Sequence, residues 1–215
     1  MTATIRYYLA ATIHGQRYLG PLLLFGCALA VFTINDIGPL TGSYVVSAGS
    51  LLLAMCWLTV TIANLEDPAR RAITVVTAGG PGRALAAVAL LALLAAGVLI
   101  GVGTVFPIVS GHHVVTGTAV VSGVLAQAVA AWVGIGVGLL CSRLVVPRPG
   151  YSLLLALAAV MAVPLVPGLP PVNPVLRLMS HDNVSLLSLT GYLAIAGVVL
   201  LAAVTATHLL SVRRD

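Results

Sequence analysis

The chain has 215 residues, of which 60% are hydrophobic and only 7% charged, with a mean hydropathy of +1.14. A soluble domain carries about 25% charged residues, so this composition excludes an ordinary soluble fold and leaves no room for a separate soluble domain. The net charge of +5 comes from ten arginines dispersed along the chain, which argues against nucleic-acid binding and fits cation-rich loops on one side of a membrane.

Charge-free intervals divide the sequence. No charged residue falls between Arg17 and Asp36, Asp36 and Glu66, Arg83 and Arg143, Arg148 and Arg177, or Asp182 and Arg213. About 20 apolar residues cross the hydrocarbon core. The Arg83–Arg143 interval has room for two crossings and each of the others for one. The pattern therefore predicts an all-α polytopic membrane protein, with six transmembrane helices in one domain over residues 1–215.

Residues 1–17 lack the apolar core and cleavage site of a signal peptide. Ile5, Leu9 and Ile13 recur at helical spacing, with Arg6, His14 and Arg17 among them. This reads as an amphipathic helix lying at the membrane interface; a tail without fixed structure is the alternative. The first two spans are expected at 18–34 and 44–63.

The loop from Asn64 to Arg83 is the richest in the chain. It predicts a short helix: Asp67 suits the N-cap and Pro68 the first helical position. Glu66 and Asp67 place negative charge at the positive end of the helix dipole, and Gly79-Gly80-Pro81-Gly82 ends the helix. Arg70 and Arg71 fall on one side, and Ile73, Val76 and Thr77 on another. A capped amphipathic helix of this kind is suited to docking a partner or, alternatively, to resting on lipid headgroups; Thr74 completes its candidate contact set.

Spans three and four are expected at 84–107 and 117–141, divided by a polar break at Phe106-Pro107 to Ser110-Gly111-His112-His113. Gly97 and Gly101 in the third span, near Gly103, and Gly134 and Gly138 in the fourth, beside Gly136, have the G-x-x-x-G spacing that lets helices approach closely. They serve either to pack these two spans on each other or to form a dimer seam. Spans five and six are expected at 151–167 and 186–210, separated by the longest external loop, Pro167 to Asn183.

Arginine sets the orientation. Arg6, Arg17, Arg70, Arg71, Arg83, Arg143, Arg148, Arg213 and Arg214 fall on one set of ends, and Arg177 alone on the other. The bias places both termini and the loops after the second and fourth spans in the cytoplasm. Lysine is absent, consistent with a high-GC coding bias.

Polar residues inside spans mark pathways, and here they are few. Gln127 sits in the middle of the fourth span, Thr59 and Thr61 late in the second, Ser188 and Thr190 early in the sixth, and Thr205, Thr207 and His208 near its end. Gln127, Thr59, Ser188 and Thr190 are the candidate substrate-pathway residues; for Gln127 a bond to a neighbouring helix is the competing role. Asp36 and Asp182 fall at outer edges, and Glu66, Asp67 and Asp215 on the cytoplasmic side. With no carboxylate inside the membrane, ion-coupled transport is disfavoured.

Other chemistries find little support. Cys27, Cys56 and Cys141 have no metal-binding spacing. His112-His113 and His181-Asp182 would need two loops to meet before they could hold a metal, so no metal is expected. A G-x-S-x-G elbow or an H-E-x-x-H motif is absent, and Ser122 and Ser152 lack the partners of a hydrolase nucleophile. Without lysine there is no Walker A loop, so any ATP chemistry belongs to another polypeptide.

Taken as a whole, the architecture resembles the membrane subunit of a type 2 ABC exporter: an amphipathic N-terminal helix, six spans, and the capped Glu66-Asp67-Pro68-x-Arg70-Arg71 helix between spans two and three. The likeness covers the whole chain in topology; its specific motif is Glu66–Arg83. This chain is short for the family and has no large external domain. The resemblance implies that the loop helix is a coupling helix seated in a separate ATPase subunit, which carries ATP and Mg, and that the external loop before the sixth span is re-entrant. It also implies a second permease copy or paralogue, surrounding lipid, and a bacterial cytoplasmic membrane, with no cofactor and no catalysis in this chain. The expected substrate is a drug, lipid or hydrophobic peptide. The competing expectation is a non-transporting anchor or assembly subunit that recruits a cytoplasmic partner through the 67–78 helix.

Overall fold

A computed structural model describes residues 2–33, 38–111, 114–145, 149–165, 171–180 and 185–212. Among them the chain is helical throughout, with no strand: α1 (Thr2–His14), α2 (Leu19–Thr33), α3 (Leu40–Ala63), α4 (Pro68–Ala78), α5 (Pro81–Ser110), α6 (Gly117–Leu140), α7 (Pro149–Leu165), α8 (Val172–Ser180) and α9 (Leu186–Val212). This is the economical solution for an apolar chain in lipid, because a helix satisfies its backbone polar groups internally.

Among the described residues four helices, α3, α5, α6 and α9, are long and apolar enough to cross a membrane. The pair α1 and α2, bent by 72° at the short break between them, makes a fifth if counted as one span. Six spans are therefore not shown by length among the described residues. The expected 18–34 span corresponds to α2, whose 15 residues reach about 22 Å at 1.5 Å per residue, against a roughly 30 Å core. The expected 151–167 span corresponds to α7, 17 residues long, whose apolar helical stretch is Leu154–Val163. Both helices end next to residues outside the described ones.

The third span also runs past its expected end. Pro107 lies inside α5, which continues to Ser110. Proline has no N–H, so the carbonyl of Gly103 loses its helical donor. The Ser47 hydroxyl of α3 donates to that oxygen at 3.3 Å. A neighbouring helix thus replaces the missing bond, which is how prolines are accommodated in membrane helices.

Helix α3 is the hub, packed on α2, α5, α6, α7 and α8. Its closest seam is with α6. A Cβ added at Gly134 would lie 2.6 Å from the Leu52 carbonyl oxygen, and one at Gly138 would lie 2.7 Å from that of Cys56. One at Gly123 would strike the Tyr44 ring. Positions 123, 134 and 138 share one helical face, and their lack of side chains brings the backbones together so that dispersion holds them. Gly97 and Gly101 behave differently. They lie on an exposed face of α5, with nothing within 4 Å of an added Cβ. Gly97 and Gly101 therefore do not pack on Gly134 and Gly138: those of α6 serve α3, and those of α5 are left outside with Leu94, Val98 and Val105.

The other face of α6 carries α9, where Gly136 meets Ala203 and Gly197 meets the Trp132 ring. The outer face of α9 is exposed and apolar, at Leu187, Val198, Leu201 and Leu209. In the Pro167–Asn183 loop, α8 packs inward with Val172, Val175 and Met179 buried against α3 and α6, while Arg177 is exposed.

Candidate functional site: the loop helix and its anchorage

The loop between α3 and α5 forms the expected helix. Asp67 holds the N-cap position with extended backbone, φ −68° and ψ 155°, and Pro68 opens the first turn. The Asp67 carboxylate makes no capping bond, so its contribution is limited to charge at the dipole's positive end. At the other end Gly79 is left-handed, φ 81°. The Gly80 N–H donates to the Val75 carbonyl at 2.9 Å and the Gly79 N–H to that of Val76 at 3.2 Å. This is the paired-bond glycine terminus that satisfies the last carbonyls of a helix.

Glu66, just before the helix, anchors it. Its Oε2 accepts from the Tyr8 hydroxyl of α1 at 2.9 Å, and its Oε1 from the Thr74 hydroxyl of α4 at 2.6 Å. Tyr8 and Thr74 are both buried. Hydrogen bonds to an ionised acceptor are roughly twice as strong as neutral ones, so one carboxylate ties α1, the loop and α4 together. At Tyr8, which lies outside the four long apolar helices, burial and then the neighbouring Glu66 raise the phenol pKa above its ordinary value. The hydroxyl thus remains a donor to the carboxylate.

Two residues earlier, Asn64 holds a second junction. Its Oδ1 accepts from the Arg143 N–H at 2.7 Å, and its Nδ2 donates to the Ser152 hydroxyl at 3.5 Å. Ser152 in turn donates to the Cys141 carbonyl. The ends of α3, α6 and α7 therefore converge on the same loop that carries α4.

The outward side of α4 has no cover from the described residues. Ile73 and Val76 are 66% and 79% exposed, and Arg70 is exposed beside them, while Arg71 is half-buried. Between α1 and α4 lies an open cleft of about 470 Å³, reached by Tyr7, Thr4, Arg70, Ile73 and Thr77. Glu66, Asp67, Arg70, Arg71, Ile73 and Thr74 are thus gathered on or beside one short helix.

The four pathway candidates are not gathered. Gln127 is fully buried where α3, α5 and α6 meet; its Nε2 is 3.5 Å from the Thr104 hydroxyl, and among the described residues its Oε1 has no partner. Tyr44 donates to the Thr104 carbonyl in the same layer, at 3.3 Å. Thr59 is also buried, its hydroxyl without a partner among the described residues, but it packs at Gly138, about 16 Å along α6 from Gln127 by helical rise. Ser188 and Thr190 are exposed on α9. Sequence reasoning missed Tyr8, Asn64 and Ser47, each of which works through a partner distant in the chain.

Among the described residues no three His, Cys, Asp or Glu side chains gather as a metal site. His112, His113, His181, Asp182, Asp36, Arg148, Arg213, Arg214 and Asp215 lie outside the described residues. Comparison of the chain with protein families, characterised proteins and solved structures gives no match.

Proposed function

We propose that this chain is the permease subunit of an ATP-driven ABC exporter, acting as a dimer of permeases with two copies of a separate ATPase. It moves a lipophilic or amphipathic substrate across a cytoplasmic membrane, with α1, α4 and both termini on the cytoplasmic side. The observation that carries the reading is α4: a capped helix between two long apolar helices, fastened at Glu66, with Ile73, Val76 and Arg70 turned away from the bundle.

The mechanism follows from how α4 is held. Closure of the ATPase dimer on ATP displaces α4. Gly79 and Gly80 pass the motion to α5, Glu66 passes it to α1 through Tyr8, and Asn64 passes it to the ends of α3, α6 and α7. The tight α3–α6 seam moves as one body. The apolar outer faces of α5 and α9 suit a second permease copy and a path between copies.

Replacing Arg70 and Arg71 together by glutamate tests this reading. Like charge placed in a docking surface costs several kcal/mol, on the order of that seen for mismatched interface charges. The expected result is normal insertion and folding with loss of ATPase co-purification and of export. Normal pull-down and export in the double variant would remove the support for coupling. Retained pull-down of a partner that lacks ATPase activity would favour the alternative, a non-transporting anchor that recruits through the same helix.

A further inference from the structure

The elbow between α1 and α2 contains a second feature, on the side of α1 away from the cleft described above. The two helices meet at 72°, and the turn is made at Gly15–Tyr18 with Gln16 in the left-handed region, φ 50°. Inside the elbow lies a groove of about 210 Å³, floored by Leu58 and Ile62 of α3 and Leu91 of α5. Its rim is Leu9 and Ile13 of α1 and Val98 of α5, which are 45%, 50% and 68% exposed. Thr12 also lines it, but its hydroxyl already donates to the Tyr8 carbonyl at 2.7 Å. The groove is apolar and open at its rim.

The surroundings of the groove are cationic. Arg6, Leu9 and Ile13 are spaced three and four residues apart and so share a face of α1; Arg6 is exposed. Arg17 is exposed in the elbow, next to Tyr18, which lines the groove. No carboxylate occurs before Asp36 in the sequence, and both oxygens of Glu66 accept bonds from Tyr8 and Thr74. An occupant must therefore be apolar in the part that fills the groove and anionic in the part that meets Arg6 and Arg17.

We infer that the α1–α2 elbow is a binding site for an anionic phospholipid, with an acyl chain along the groove and its phosphate at Arg6 and Arg17. A membrane supplies this molecule at the required depth, because cationic side chains at a bilayer surface attract anionic headgroups and an amphipathic helix lies at the boundary between headgroups and chains. The site does not depend on export: it needs only that the bundle sits in a bilayer.

Native mass spectrometry of the full chain, released from micelles containing equal amounts of phosphatidylglycerol and phosphatidylcholine, tests the site. The wild-type chain should retain one phosphatidylglycerol at least fivefold more often than phosphatidylcholine. Arg6→Gln with Arg17→Gln, both exposed positions, should bring the ratio near one. Val98→Trp fills the rim from an exposed position and should lower retention of both lipids. Equal retention of the two lipids by the wild-type chain, or a Val98→Trp variant that retains lipid like wild type, would overturn the inference. So would a chain, alone or as the dimer proposed above, that retains neither lipid.

Discussion

The Tyr8 hydroxyl and the Glu66 carboxylate, 58 residues apart in the chain, are joined by a 2.9 Å hydrogen bond. Through it the first helix is fixed to the loop that carries α4. Tyr8→Phe removes the donor and should cost about 1.5–3 kcal/mol, the range for a bond to a charged group. Glu66→Ala should cost more, since it also removes the shorter of the two bonds of the Thr74 hydroxyl, leaving it the Arg70 carbonyl at 3.2 Å. In the Glu66→Ala background, Tyr8→Phe should add little. Denaturant unfolding in micelles measures this cycle; additive losses would mean that the pair does not act as a unit.

Ser47 and Pro107 form a second pair to be tested together. Ser47→Ala leaves the Gly103 carbonyl without its donor and should cost about 0.6–2 kcal/mol, the span measured for interhelical bonds in membranes. Pro107→Ala restores a backbone N–H at the right place. The cost of Ser47→Ala should therefore fall in the Pro107→Ala background, read from the same unfolding curves.

The glycines should separate by face. Gly134→Val and Gly138→Val place a side chain against backbone carbonyls that cannot yield, so each should cost at least the roughly 1–3 kcal/mol of an overpacked core. Gly97→Val and Gly101→Val enter open space and should leave the stability of the single chain within about 0.5 kcal/mol, as for ordinary surface changes. A loss of dimer on size analysis in the α5 variants alone would identify that face as the seam between copies.

Gln127 is buried, and among the described residues its oxygen has no partner. Gln127→Leu exchanges an incompletely bonded amide for an apolar side chain of similar size, and thermal unfolding should show stability equal to or above wild type. Gln127→Glu puts an unpaired carboxyl at the same place and should lower stability by several kcal/mol or force the group to remain protonated, on the order of the penalty for a buried charge. A marked loss on Gln127→Leu would show that the amide oxygen is satisfied in the membrane.

The orientation is open to a direct test. Val76 on α4 and Val114 before α6 are 79% and 87% exposed and lie at opposite ends of α5. On a background with Cys27, Cys56 and Cys141 replaced, Val76→Cys and Val114→Cys should react with an impermeant thiol reagent from opposite sides, with Val76→Cys protected from outside. Labelling of Val76→Cys from the external face of intact cells would reverse the topology.

The sequence by itself determined the class of this protein, because apolar length and the scarcity of charge are additive properties that need no fold to be read. It also determined α4, since Asp67-Pro68 and Gly79-Gly80 are local signals acting on their own backbone. Tertiary structure alone decided the rest. Which glycines face a neighbour depends on which helix lies opposite, and spacing cannot tell Gly97 from Gly134. Pro107 looked like a boundary until Ser47 was found across from it. Glu66 read as dipole charge, and its bond to Tyr8 depends on a bend that carries α1 back over the loop.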